Sequence, residues 1–564
     1  MSNKNKQIGQ SVLKGSLILV VANLLVKIIG ALFKIPLTNL LGNEGMGYFS
    51  SAYTIYSGLF TVATAGLPVA IAKMVAESTA HGNLRELKRI HRVSYALFAL
   101  VGIVGTCVLY FGADKFIKNY GDNSLCIKLV APAIFFVAIM SVYRGFFQGL
   151  SDMYPTAFSE LIESGMKLVV GFSLAYFLLD RGLLYGAAGA ISGVTLGAVC
   201  GAVFLIATFF KKKKKIYSSM NASLEPPSVG TVLGKMLYVA LPVTISASVF
   251  TISNLIDVFQ IGSRLSLIAD KIPKEQLAQC VAYTSDAIKN VADTDTARIV
   301  NSLYGMYTSK VLTMLNLLPA LVVALCLPLV PAIARAYESK DMRTVSKTTH
   351  MSVKFTVFFA LPGAIGMGVL SDPILRALFG TNDASLLLRL ITPAVVCVSV
   401  VLVTNSILQA TGNVLVPVIN IAVAGITKVI VNYFLLIIPE ININGVAVGT
   451  SACYFIYMTL NLFYVIKITK PGMNVKDFII KPAVSSAVMG VVVWAVNTVL
   501  TNLLGESRMA AVVCTAASVC IGGLVYVIAI FKTGSLTEDE IVHLPQGEKI
   551  AGILKKLKLL KVGR

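Results

Sequence analysis

Apolar runs of about 20 residues recur along this chain from end to end. Each is long enough to cross about 30 Å of hydrocarbon as a helix. In lipid every backbone N–H and C=O must be bonded within its own segment, so the α-helix is the default. Only 13% of the 564 residues are charged, against about 25% in soluble domains, and no segment is polar enough to form a water-facing domain. The chain reads as an all-α polytopic membrane protein. Fourteen spans are expected, at about 13–37, 47–76, 93–113, 126–150, 155–180, 184–210, 232–262, 303–334, 351–370, 386–410, 414–438, 445–466, 478–502 and 509–531. The first run lacks an Ala-x-Ala-like cleavage site and reads as a retained helix.

The net charge is +21, from 48 Lys and Arg against 27 Asp and Glu. Most of this excess sits in short connections between spans, a placement that fits the positive-inside rule better than nucleic-acid binding. One side carries Arg85, Lys88, Arg89 and Arg92, then Lys211 to Lys215, then Arg335, Lys340, Arg343 and Lys347, then Lys467, Lys470 and Lys476. The other side has weakly charged connections, among them 38–46, and a long loop, 263–302. There Asp270, Glu275, Asp286, Asp293 and Asp295 balance the cations. Both termini are expected in the cytoplasm of a cell-membrane protein. The nine cysteines include no CxxC, and neither a disulfide nor a zinc site is expected.

A weak internal repeat runs through the chain. Gln148, Asp152 and Lys167 match Gln409, Asn413 and Lys428 at an offset of 261, and LLYGAAGAISG (183–193) echoes INGVAVGTSA (443–452). Two six-helix bundles in parallel pseudo-repeat follow, with two further helices. The expected division is 1–215, then 216–470 with its outer loop, then helices thirteen and fourteen over 471–531, then a basic tail over 532–564. In that tail Ile550, Ile553, Leu554, Leu557 and Leu560 share one helical face, suited to lying on an anionic leaflet.

Charge placed inside these spans is costly and marks function by default. In the first span Asn23, Lys27, Gly30 and Lys34 form one polar stripe, with Lys27 near mid-depth and no acid on its own helix face. The stretch VYRGFFQGLSDMYPTAFSELIESGMK (142–167) makes a hairpin in which Arg144 can pair with Glu160, and Glu163 with Lys167. Asp257 and Lys310 fall in the outer third of their spans, and Lys428 falls near mid-depth. The candidate substrate cations are therefore Lys27, Lys34, Arg144, Lys167, Lys310 and Lys428. The candidate coupling or gating acids are Glu160, Glu163 and Asp257. The structural alternative for Arg144 and Glu160 is a plain interhelical bridge. Lys354 and Arg389 are expected to snorkel, and Lys73 and Lys235 to anchor at the interface.

The chain has no GxxxxGK[ST], HExxH or GxSxG, so no ATPase, metalloprotease or α/β-hydrolase chemistry is expected, and no cofactor. His81, His91, His350 and His543 read as solvated residues of cytoplasmic loops or tail.

Fourteen spans as 6+6+2, together with YRGFFQG and PTAFSELIES inside 143–164, resemble the multidrug/oligosaccharidyl-lipid/polysaccharide (MOP) flippase superfamily. The opening GSLILVVANLLVKIIGALFKIPLTNLLG (15–42) and LYGMYTSKVLTMLNLLPALVVALCLPLVPAIA (303–334) resemble the first and eighth spans of its polysaccharide-biosynthesis branch. That branch holds stage V sporulation proteins B and MurJ-type lipid II flippases. The resemblance implies that cations on spans one, two and eight line a cavity for a lipid-linked pyrophosphate. Lys27 and Lys34 stand at the first position and Lys310 at the last. The span-two stretch YSGLFTVATAGLP (56–68) is neutral, and Arg144 is placed to take over part of its role. The expected partners are a saccharide-linked pyrophosphate lipid, membrane lipids and a coupling ion, Na+ or H+, with the chain a monomer.

The competing readings are a cation-coupled drug exporter of the same superfamily, which would favour an acid-rich cavity, and a non-transporting scaffold for envelope synthesis or sporulation, which has no use for mid-membrane lysines. A membrane glycosyltransferase would need a ligand cluster that loop 263–302 does not show. Sidedness is tested directly by labelling. With Cys280 removed, a cysteine at Gln276 should react with an impermeant maleimide in intact cells, and one at Lys213 only after permeabilisation. The reverse pattern would overturn the topology.

Overall fold

The computed structural model describes residues 3–121, 123–218, 225, 227–273, 295–326, 329–472 and 476–534. Cys280, Glu275, Asp286, Asp293, Gln276, His543 and the tail helix over 549–564 lie outside the described residues. The chain divides into two compact units, Met1–Ser309 and Lys310–Arg564. The division falls inside the expected eighth span and not near residue 215.

The N-terminal unit runs α1 Asn3–Thr64, α2 Leu67–Ala80, α3 Leu84–Phe116, α4 Ser124–Gly149, α5 Tyr154–Met166, α6 Phe172–Leu178, α7 Leu183–Ser218, α8 Val229–Leu265 and α9 Thr296–Met306. A π-helical turn, Lys167–Gly171, joins α5 to α6. A second π turn, Tyr307–Val311, follows α9. The C-terminal unit holds α10 Leu312–Cys326, α11 Leu329–Glu338, α12 Met342–Val369, α13 Ser371–Phe379, α14 Ser385–Ala410, α15 Leu415–Leu435, α16 Asn444–Thr469, α17 Lys481–Leu504 and α18 Arg508–Lys532. Among the described residues, eleven helices are long and apolar enough to cross a membrane.

The expected spans one and two are joined in α1. Its 62 residues would make a straight rod of about 93 Å, far more than one crossing. Gly42, at φ 64° and ψ −171°, breaks it into two helices. The expected connection over 38–46 is otherwise helical. The second span is itself interrupted at Ala65–Gly66, between α1 and α2. There Gly66 lies so close to α8 that a Cβ on it would come 2.1 Å from the Ala240 carbonyl oxygen. Its N–H donates to Thr244 Oγ1 at 3.1 Å.

Glycines also set the packing of α5 to α7. On α7 Gly186, Gly189, Gly193, Gly197 and Gly201 line one face at helical spacing. A Cβ on Gly193 would lie 2.3 Å from Gly171 Cα, and one on Gly197 would lie 2.6 Å from the Glu163 carbonyl oxygen. Helices in lipid gain little from hydrophobicity, so they associate by such close backbone approach. The motif read as a repeat echo (183–193) thus seats α6 and the π turn, and Gly197 and Gly201 just beyond it meet Glu163 and Ser159 of α5.

The repeat recurs in backbone geometry. After α4, Ser151 is left-handed at φ 58°, Ser151 N–H donates to Gln148 O, and Asp152 N–H to Phe147 O. After α14, Gly412 takes φ 80°, Gly412 N–H donates to Gln409 O, and Asn413 N–H to Leu408 O. Both are Schellman endings at the predicted offset. A second matched pair ends α2 at Gly82 and α11 at Lys340. Asn83 and Asp341 follow and cap α3 and α12 by accepting from the N–H groups of Glu86 and Thr344. Hydrogen bonds from Thr344 hold the Asp341 carboxyl below its ordinary value.

Left-handed backbone penalises any side chain with a Cβ by about 1–2 kcal/mol, part of which glycine forfeits through the entropy of the unfolded chain. Ser151→Gly should therefore raise the thermal midpoint of the purified protein, a gain of about 0.5–1 kcal/mol, and Gly412→Ser should lower it comparably. A cycle of both single changes and the double, followed by thermal unfolding in detergent, checks the shared strain.

Candidate functional site

A cavity of about 340 Å³ opens in the N-terminal unit. Its walls carry Lys27, Gly30 and Phe33 from the first half of α1, Tyr53 and Tyr56 from the second half, and Glu160, Glu163, Ser164 and Lys167 from α5 and its π turn. The structure thus brings together four residues that the sequence had placed on two separate spans.

Lys27 is exposed to the cavity and has no ion pair or hydrogen bond among the described residues. Gly30 lies one turn on, with nothing within 4 Å of where its Cβ would be. The polar stripe is only partly realised. Asn23 turns back to its own helix, donating to Leu19 O at 3.0 Å. Lys34 leaves the cavity wall and donates to Thr308 O at 2.7 Å.

The hairpin pairs differently from expectation. Arg144 bonds Glu163, not Glu160, with Nη2 2.9 Å from Oε2. Its Nε donates to Ser159 Oγ at 3.0 Å, and that hydroxyl is in turn anchored on Thr156 O. Glu160 Oε2 is left buried with no hydrogen-bond partner. Lys167 does not pair with Glu163 either, because Arg144 has taken that carboxylate. Its Nζ instead lies 4.4 Å from the Tyr53 ring centroid and 5.2 Å from that of Phe33, attracted by the ring faces. Lys27 and Lys167 thus share the cavity wall with Glu160 and with Glu163, whose carboxylate Arg144 pairs.

The remaining candidates lie elsewhere. Asp257 is buried and accepts from the Tyr307 hydroxyl at 3.2 Å. Lys428 is buried on α15 in the C-terminal unit. Lys310 is buried in an ion pair with Asp383, 2.7 Å from each carboxylate oxygen, and donates to Thr381 Oγ1 at 2.8 Å. Asp383 had no sequence signal, since it stands in a connection between α13 and α14. Glu44 was missed for the same reason. It is buried beside the Gly42 break and holds Arg298 at 3.2 Å, a contact that raises the Arg298 pKa above its ordinary value.

Two structural expectations are corrected. Lys354 does not reach an interface; it is buried against the Phe358 ring. His91 is not a solvated loop residue, for it packs among Tyr143, Phe146 and Phe209 at centroid distances of 5.4, 5.3 and 4.6 Å. Arg389 pairs with Asp372 and bonds Ser371. Among the described residues no group of three His, Cys, Asp or Glu side chains is placed to hold a metal ion.

A helical membrane fold with charged residues inside a water-open cavity defines a transporter-type protein. Residues 12–337 match the family described as polysaccharide biosynthesis protein, and residues 273–515 match that of lipid II flippase MurJ. The chain belongs to the polysaccharide biosynthesis protein family. Stage V sporulation protein B of Bacillus subtilis (strain 168) is 23% identical over 95% of this chain and 98% of its own length. Lipid II flippase MurJ of the same organism is 23% identical over 96% and 98%. The solved structure of a lipid II flippase MurJ in an inward closed conformation shares the fold at a TM-score of 0.63, with 16% identity over 91% of this chain and 98% of that one.

The observed pairing can be measured. Arg144→Ala strands Glu163, and Glu163→Ala strands Arg144, so each should cost about 1–3 kcal/mol. The two should be strongly non-additive in a double-mutant cycle. Glu160→Ala should be close to neutral and couple to Arg144 more weakly than Glu163→Ala does. Stronger coupling of Arg144 to Glu160 than to Glu163 would contradict this geometry.

Proposed function

We propose that this protein is a flippase that moves a polyprenyl-pyrophosphate-linked saccharide from the cytoplasmic to the outer leaflet by alternating access, with the peptidoglycan precursor lipid II as substrate. The observation that carries this reading is the pair Lys27 and Lys167, which face one cavity with no carboxylate bound to either among the described residues. A cation left unpaired at membrane depth is expensive, and an anionic substrate offsets that cost when it arrives. Lysine suits the task as a mobile point charge for phosphate. Lys34 stands behind the site, close enough to Lys167 to repel it, and adds to the positive field.

Arg144 acts here by neutralising Glu163, which keeps that carboxylate from repelling the pyrophosphate. Glu160 is the acid free to take up a coupling ion, Na+ or H+, because its Oε2 has no donor. Lys310, Asp257 and Lys428 are positioning groups held in buried contacts. An inside-negative membrane potential favours outward movement of an anionic head group by about 2.3 kcal/mol per charge per 100 mV. The match to a relative named lipid II flippase supports the substrate. The equal identity to stage V sporulation protein B makes complementation of a strain depleted of its lipid II flippase the deciding experiment for that substrate.

A cation-coupled drug exporter is the second reading, and the buried Glu160 oxygen beside Tyr53 and Tyr56 is the feature that favours it. The two readings diverge at Lys27. For a pyrophosphate lipid, Lys27→Gln should abolish flipping at matched protein levels and leave stability unchanged or slightly raised, while Lys27→Arg keeps part of the activity. For a cationic drug, Lys27→Gln should preserve or improve transport. Full flipping by Lys27→Gln would remove the lysine from the mechanism.

A further inference from the structure

The second half of α1 carries a ladder of aromatic rings that the charge-based reading does not use. Phe49 and Tyr53 stack at 5.8 Å with their planes 8° apart. Tyr53 and Tyr56 follow at 6.0 Å, then Tyr56 and Phe60 at 6.2 Å and 15°. Phe49 and Tyr56 are buried, whereas Tyr53 is half-buried and belongs to the cavity wall with Tyr56. With Phe49 stacked against it, Tyr53 presents its ring to the Lys167 ammonium, 4.4 Å from the centroid. The group that covers this aromatic surface is thus one of the two lysines assigned above to the pyrophosphate.

We propose that Tyr53 is a saccharide subsite uncovered by Lys167 when the pyrophosphate binds, so that the cavity recognises a pyrophosphate and the sugar bonded to it as one unit. The inference rests on the flippase reading and deepens it. An ammonium is attracted more strongly by a dianionic pyrophosphate than by a ring face. Arrival of the pyrophosphate therefore draws Lys167 away and leaves an apolar, electron-rich surface facing the cavity. The C–H face of a pyranose ring fits such a surface. A second water-filled contact would not, because bare aromatic surface exposed to water is unfavourable. The sugar attached to the phosphate is the nearest group able to cover it. Space exists on the opposite wall, where Gly30 has nothing within 4 Å of its Cβ position. The cavity, about 340 Å³, is at the small end of ligand sites, which span about 300–1,000 Å³. It holds the pyrophosphate and the first ring, and anything beyond that ring lies outside it. Specificity then falls on the first sugar and on the lipid being glycosylated, so that the bare carrier lipid is not flipped back to back with its loaded form.

The test measures binding of two probes to the full-length protein in nanodiscs: undecaprenyl pyrophosphate, and the same lipid carrying one N-acetylhexosamine. The wild type should prefer the glycosylated probe by about tenfold, equivalent to about 1.4 kcal/mol. Tyr53→Leu should erase that preference, with the affinity for the bare lipid raised because Lys167 no longer has the Tyr53 ring face to leave, while Tyr53→Phe should keep the preference. Lys167→Met gives an arm that does not depend on Tyr53→Leu folding. With the ring already uncovered, the bare lipid should lose more affinity than the glycosylated one, and the preference should widen. Equal binding of both probes by the wild type, a preference that survives Tyr53→Leu, or one unchanged in Lys167→Met would overturn the subsite and leave the flippase reading standing. Failure of the wild type to bind either probe would overturn both.

Discussion

A charge inside a membrane must find a partner, and the rest of this structure follows from how its charges are paired. Lys310 is satisfied by Asp383 and Thr381, Arg298 by Glu44, and Arg144 by Glu163 and Ser159. Each pair joins segments distant in sequence or across a hairpin, and each removes both members from the pool of free charge. What remains at the cavity is Lys27, Lys167 on its aromatic faces, and a buried oxygen of Glu160. The site is the residue of this pairing.

Pairing alone would not bring α1 and α5 to one cavity. Close backbone contact does that. The glycines of α7 let α5 and its π turn approach until main-chain atoms touch, with Gly171 against Gly193 and the Glu163 carbonyl against Gly197. Gly47 and Gly305 do the same for α1 and α9, where a Cβ on Gly305 would come 1.9 Å from the Asn43 carbonyl oxygen. The break at Gly42 returns the second half of α1 so that Tyr53 and Tyr56 share a cavity with Lys27. A π turn beginning at Lys167 adds a residue to the helical repeat beside the site, a deviation that recurs at functional positions.

Aromatic and cationic groups are therefore interleaved in one small space. Lysine on a ring face is ordered by that contact but held loosely. Such a contact stabilises by about 0.5–2 kcal/mol, far less than a buried ion pair would hold it. That difference separates Lys167, which rests on ring faces, from Lys310, which is bound on both carboxylate oxygens of Asp383.

The membrane class, the helical fold and the repeat were legible in the sequence, because hydrocarbon thickness sets the length of apolar runs and lipid permits little besides helices. The turns at Ser151 and Gly412 show that even a faint match of Gln148 with Gln409 reported real backbone geometry. The cavity face with Lys27 and Gly30 and the charged hairpin were legible too, since helical spacing fixes which residues share a face, although Asn23 and Lys34 of the same stripe turn elsewhere. Pairing was not. Whether Arg144 meets Glu160 or Glu163 depends on less than one helical turn of offset between α4 and α5, which only the tertiary packing fixes. Asp383 and Glu44 stood in segments with no periodic pattern to assign them a face. The stacking of Lys167 on Tyr53 needed two halves of a helix broken at one glycine. Sequence determined which groups are costly in the membrane; tertiary packing decided which of them are relieved, because a charge is satisfied only by neighbours within a few ångströms.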